Sequence, residues 1–222
     1  MNEKNCIAAF FDFDSTLIDV ESGRIGFQYL YEMREISLAF LLKILISDFL
    51  YKRNFISDVG IARIMLKFYK KRSLKDLADG AEAFYMDYLK PHLAPNILAR
   101  LRGHKQAGHL TVLNSASVRY MLVPAVKDLE FDYLLCTDLE EGPDGRLTGR
   151  PDGPICIDQN KRIAAENLSS RIGIDLDRSY AYGNHHSDIP LLEAVGNPLA
   201  VEPTLLLKRH AETRGWPILS FR

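Results

Sequence analysis

Apolar and polar positions change rhythm along this chain, from an unbroken apolar run to helical spacing and then to alternation of the two. The run Cys6-Ile7-Ala8-Ala9-Phe10-Phe11 is short and apolar on both sides, which predicts a buried strand over residues 6–12. From about 22 to 90 the spacing is helical throughout. It predicts helices over about 22–35, 36–53, 57–71 and 74–90, with Asp58 and Ser73 as N-caps of the last two. Pro91 and Pro95 mark the exit. A helix over 96–107 follows, stopped by Gly108, then a strand over 109–114 and a helix over 118–128. Short strands at 132–136 and 179–183 flank a hairpin over 138–149, turning at Asp144-Gly145, and a helical stretch over 160–168. A last strand falls near 198–201. Such alternation predicts an α/β fold, a parallel sheet with helices on both faces. Residues 19–90 then read as an all-helical insertion after the first strand, with 1–18 and 91–222 forming the core.

Chemistry-bearing residues gather where that sheet would place a site. Asp12 and Asp14 sit two apart at the end of the first strand, so alternation can send both carboxylates the same way. Two carboxylates so placed repel each other and need a cation or a shared proton. Three further clusters follow: Leu113-Asn114-Ser115-Ala116-Ser117, Lys161 at the opening of its helix, and Tyr182-Gly183-Asn184-His185-His186-Ser187-Asp188. All fall at strand ends or helix starts, and ligands of parallel sheets bind beyond the C-terminal ends of the strands. Taken singly, a serine after a strand or a lysine at a helix start is an ordinary structural feature. The four clusters in this order are not.

In that order they resemble the four motifs of the haloacid dehalogenase superfamily, closest to its phosphoserine-phosphatase-like branch. The resemblance runs to the closing Gly215-Trp216-Pro217-Ile218-Leu219. It implies a Rossmann-like core with an inserted helical cap and a Mg2+-dependent phosphatase working through an aspartyl-phosphate. Asp12 matches the nucleophile and Asp14 the general acid and base. Ser115 and the neighbouring Ala116 match the motif that holds the phosphoryl oxygens, and Lys161 the cation that neutralises charge. The implied Mg2+ ligands are Asp12, Asp14 through its backbone carbonyl, and the first acidic position of the last motif. Here that position is Asn184, which offers an amide oxygen with one negative charge less, and Asp188 is expected to compensate directly or through water.

Glu21 lies nine residues after Asp12, where phosphoserine phosphatases carry the glutamate that meets the substrate's ammonium group. Arg63 matches their cap arginine for the substrate carboxylate. The plainer alternative makes Glu21 a helix cap and leaves Arg63 in solvent. His185 and His186 read as edge-of-site residues, since as transition-metal ligands they lack a third soft partner in the sequence. The expected substrate is a small phosphomonoester, phosphoserine among the candidates. A phosphotransferase to an alcohol acceptor would use the same residues, and Asn184 prompts a third reading, a catalytically weak phosphate-binding homologue.

Composition narrows the partners. A net charge of −1 over 222 residues leaves no basic footprint for nucleic acid. Cys6, Cys136 and Cys156 lack metal-site spacing and read as free thiols of a reducing compartment. Without an apolar leader pattern at residues 1–5, the chain reads as cytoplasmic, and as a monomer or homodimer. The segment 36–51 is apolar nearly all round but carries Lys43 and Asp48 and is too short to span a bilayer. It reads first as a helix packed inside the small domain, and otherwise as a dimer contact or an apolar lid.

Overall fold

The computed structural model describes residues 6–53 and 55–222. Strand β1 (Ala8–Phe11) is buried along its whole length. Its side chains divide by the two-residue period: Ala9 and Phe11 enter one apolar cluster, Ala8 and Phe10 another. Each fully buried phenylalanine contributes roughly 2–3 kcal/mol of apolar transfer, so this central strand anchors both layers. Helices α5 (Pro95–Gln106) and α6 (Arg119–Asp128) cover the Phe11 face through Ile97, Leu101, Leu122 and Ala125. Helices α7 (Gln159–Ile172), α8 (Ile189–Leu192) and α9 (Leu205–Arg214) cover the Phe10 face through Ala165, Leu168, Leu191, Leu207 and Ala211.

The other strands are β2 (Leu110–Val118), β3 (Tyr133–Glu141), β4 (Leu147–Asp152), β5 (Tyr180–Gly183), β6 (Asn197–Val201) and β7 (Ile218–Leu219). They form one sheet in the order β4-β3-β2-β1-β5-β6-β7. Every neighbouring pair is parallel except β3 with β4. The α/β expectation therefore holds. The anticipated hairpin is present, but its first arm is the continuation of β3. Its second arm is tied to the helices before α5, where the Leu147 backbone exchanges hydrogen bonds with Lys71 and Arg72.

Those helices are α1 (Ser22–Glu32), α2 (Leu38–Lys52), α3 (Asp58–Leu66) and α4 (Leu74–Phe84). They share an apolar cluster built on Phe27, Ile44, Leu66 and Phe68, which continues into Val118 and Ile155 of the sheet side. Ser73 caps α4 as expected, whereas α3 is capped by Ser57, one residue before the Asp58 expected there. Helix α2 also departs from expectation. Only part of it packs inward, at Ile44 and Ser47 with Phe40 and Leu41 partly buried beside them, while Leu38, Leu42, Leu45, Ile46 and Phe49 lie exposed along one stripe. Among the described residues no helix is long and apolar enough to cross a membrane.

Candidate active site

Strand register brings the four clusters to one end of the sheet. Phe11 pairs with Leu113 on one side and with Tyr182 on the other, so the residues that follow each, Asp12, Asn114 and Gly183, reach the same level. Beyond them lies a cleft of about 290 Å3 lined by Asp12, Asp14, Ser115, Ala116, Lys161 and Asn184, with the helices before α5 forming its other wall.

The centre of the site is a buried charge cluster. Lys161 Nζ donates to Asp12 Oδ1 at 2.7 Å and to Asp188 Oδ1 at 2.6 Å. Burial alone would depress the lysine, but the two carboxylates reverse this and hold the ammonium well above its ordinary range. Burial pushes the Asp12 carboxyl up to about 7, opposed by Lys161 and helped by the charges of Asp188 and Asp14. Lys161 itself is positioned by Asn114, whose side-chain amide donates to the Lys161 carbonyl at 3.1 Å. Asn114 is fully buried, and it is a positioning residue that the sequence alone did not single out.

Asp14 is held from two sides. It accepts from the backbone N–H of Ser22 and, at 2.8 Å, from the Ser117 hydroxyl. Ser117 in turn donates its N–H to Ser115 Oγ at 3.2 Å, which orients the Ser115 hydroxyl. Ser15, the residue after Asp14, takes a left-handed conformation, φ 51°, at the turn that leads the chain on toward Ser22.

Asp188, expected to support the metal directly or through water, is seated against Lys161. It is 1% exposed, and its Oδ2 accepts from the backbone N–H groups of both Asn184 and His185 at 3.0 Å each. With Oδ1 on Lys161, both oxygens are already engaged, so Asp188 fixes the lysine and the Asn184 loop. Gly183 makes room for it: a Cβ there would lie 2.6 Å from the Asp188 Cβ.

Glu21 lines the cleft and occupies the N-cap position of α1, but its side chain makes no capping bond there. Arg63 is placed differently. It is exposed on α3, while Ile61, Ala62, Met65 and Leu66 turn toward the cleft. Helical phase puts position 63 on the other side, and the arginine that does line the cleft is Arg24.

His185 and His186 stand at the edge of the cleft with Tyr51 and Asp58. The Tyr51 hydroxyl donates to Asp58 and lies 3.0 Å from His185 Nε2, and His186 Nε2 pairs with Asp58 at 3.1 Å. Burial lowers the His185 pKa below the usual imidazole range. Asp58, brought there from a distant helix, joins the two histidines with a carboxylate rather than a third soft ligand.

A model of the haloacid dehalogenase-like hydrolase family matches residues 9–193. The chain belongs to that family. A histidinol-phosphatase of Neisseria meningitidis is 28% identical over 96% of this chain and 98% of its own length. Phosphoserine phosphatase SerB1 of Mycobacterium tuberculosis is 30% identical over 97% of this chain and 71% of its own. Among solved structures, a Bordetella pertussis protein of unknown function superposes with a TM-score of 0.87 at 28% identity, covering 98% of this chain and 100% of that one. A substrate-bound phosphoserine phosphatase has a TM-score of 0.71 at 18% identity, covering 98% and 94%, and that likeness is one of fold. This family member is a phosphoric monoester hydrolase of the phosphoserine-phosphatase-like kind.

Proposed function

We propose that this hydrolase is Mg2+-dependent and cleaves a small phosphomonoester, whose alcohol carries an ammonium group, through an aspartyl-phosphate on Asp12. The observation that carries the reading is the buried Asp12 carboxylate, bound to Lys161 through Oδ1 and without a hydrogen bond on Oδ2 among the described residues. The Asn184 side-chain amide, also in the cleft wall, is likewise without a protein partner among those residues. Two oxygen donors of this kind suit a hard divalent cation that keeps several waters. Asp12, Asn184 and the Asp14 carbonyl would hold Mg2+, which would offset the substrate's charge and draw the Asp12 carboxyl back toward its ionised form.

In the first step an Asp12 carboxylate oxygen forms a bond to phosphorus as the bond from phosphorus to the alcohol oxygen breaks. Asp14 delivers a proton to that departing oxygen. Asp14 then takes a proton from water as the water oxygen attacks the same phosphorus, releasing phosphate and restoring Asp12. Throughout, Lys161 offsets charge at Asp12, and the Ser115 hydroxyl with the backbone beside Ala116 holds phosphoryl oxygens. Ser117 and the Ser22 N–H fix the Asp14 carboxyl so that one group serves both proton transfers.

Helices α1 to α4, residues 19–90, act as a cap that supplies the selectivity wall. Glu21 pairs with the substrate's ammonium group, and Arg24 is the cation available to a substrate carboxylate in place of Arg63. The test is phosphate release from phosphoserine, histidinol phosphate, ethanolamine phosphate and p-nitrophenyl phosphate, each with Mg2+ and with chelator. Mg2+-dependent turnover favouring the ammonium-bearing esters is expected. Turnover unchanged by chelator, or preference for p-nitrophenyl phosphate, would overturn the reading.

A further inference from the structure

Outside the phosphoryl site, one cluster of side chains has the makings of a second binding centre. Ligand atoms of Asp58, His185 and His186 all lie within 4.8 Å of one another. Asp58 opens α3, and the two histidines follow β5, so the cluster bridges the helical block and the sheet. The histidine rings are 4.0 Å apart between centroids. Asp58 is 9% exposed, which shelters its carboxylate without sealing it.

His185 is held through both of its ring nitrogens. Its Nδ1 lies 3.0 Å from the Ser187 hydroxyl oxygen. The Ser187 backbone N–H also donates to Nδ1, at 3.4 Å, and Nε2 donates to the Tyr51 hydroxyl, whose own proton goes to Asp58, so an ion would take the place of the Nε2 proton. Two imidazoles and one carboxylate suit a borderline-soft ion such as Zn2+, which takes three protein ligands with a fourth position open. They suit Mg2+ poorly, since it prefers oxygen donors throughout.

We propose that Asp58, His185 and His186 form a transition-metal site of the zinc type, separate from the Asp12 and Asn184 oxygens and independent of the substrate reading. The ion clasps α3 to the loop after β5, closing the helical block against the sheet at the edge of the cleft. Without the ion, the Asp58–His186 pair and the Tyr51 hydroxyl provide a weaker, purely hydrogen-bonded version of the same contact.

The test is Zn2+ titration of chelator-stripped protein in excess Mg2+, followed by the visible spectrum of the Co2+-loaded form. The wild type should take up a single equivalent, show the intense bands of tetrahedral Co2+, and gain thermal stability with Zn2+. His186→Gln retains a side chain that can hydrogen-bond Asp58 and should fold, yet lose affinity about tenfold or more, on the scale of lost support at metal sites. Asp58→Asn should lose affinity likewise, and Asp12→Asn should keep it. Absence of saturable Zn2+ uptake by the folded wild type would overturn the proposal. So would wild-type affinity in both His186→Gln and Asp58→Asn, or its loss in Asp12→Asn.

Discussion

Replacing Asp188 with asparagine separates two roles for this residue, anchor of Lys161 or ligand of the metal. The carboxylate takes Lys161 Nζ at 2.6 Å on one oxygen and two backbone N–H groups at 3.0 Å on the other. An asparagine can keep its carbonyl oxygen on the backbone pair, which turns its NH2 toward the ammonium and sets donor against donor. Breaking one side of a buried ion pair costs about 3–5 kcal/mol. Lys161 retains Asp12 at 2.7 Å, so the lower end applies. A loss of about 3 kcal/mol in a chain of this size lowers Tm by roughly 6–12 °C. Thermal unfolding measures this directly, and steady-state assays over a range of Mg2+ measure the rest. The half-saturating Mg2+ should move by less than about threefold, well short of the roughly 10–100-fold that loss of metal support brings. An unchanged Tm with a tenfold weaker Mg2+ response would refute the anchoring role and make Asp188 a ligand.

Further outcomes follow from the same geometry. Gly183→Ala places a Cβ 2.7 Å from Asp188 Oδ2, so it should lower both Tm and kcat; wild-type values in both would show that the Asp188 contact is not needed. Arg63→Ala should leave KM for every ester unchanged while Arg24→Ala raises it for phosphoserine but not for ethanolamine phosphate; the reverse pattern would restore Arg63 to the site. His104, bonded to Tyr182 at 2.8 Å, has its pKa lowered by burial, and further by His109, to about 4 from 6.5. Above pH 6.5 its contribution is complete, and as pH falls toward 4 the unfolded chain binds a proton the folded ring refuses, so stability is lost. After allowance for solvent screening the loss is on the order of 1–2 kcal/mol, and urea unfolding at pH 7.5 and 4.5 should show a smaller difference for His104→Phe than for the wild type. Equal differences in the two proteins would assign the acid sensitivity elsewhere.

The parts of this protein legible in the sequence are those set by local pattern. The unbroken apolar run of β1 and the polar residues after each strand announced the sheet and the end at which chemistry gathers. Helix α9 went unforeseen because only Leu207 and Ala211 of its residues are buried, too few to mark a period. Helix phase decided Arg63: four apolar neighbours turned to the cleft and carried the charge outward. For α2 the sequence left packing and exposure both open, because composition reports how apolar a helix is, not how much of it finds a neighbour. Asp188 was visible as a carboxylate, but one of its two occupied oxygens depends on Lys161, 27 residues away. The meeting of Asp58 and His186 spans a still longer separation and is fixed by tertiary packing alone.

The central claim is that Asp12 carries the phosphoryl group. The direct measurement is acid quench during turnover of a phosphate-labelled substrate, followed by peptide mapping of the protein. Label on the peptide containing Asp12, absent in a folded Asp12→Asn protein that no longer releases phosphate, is the predicted result. Phosphate release persisting in Asp12→Asn, or label trapped on another residue, would contradict it.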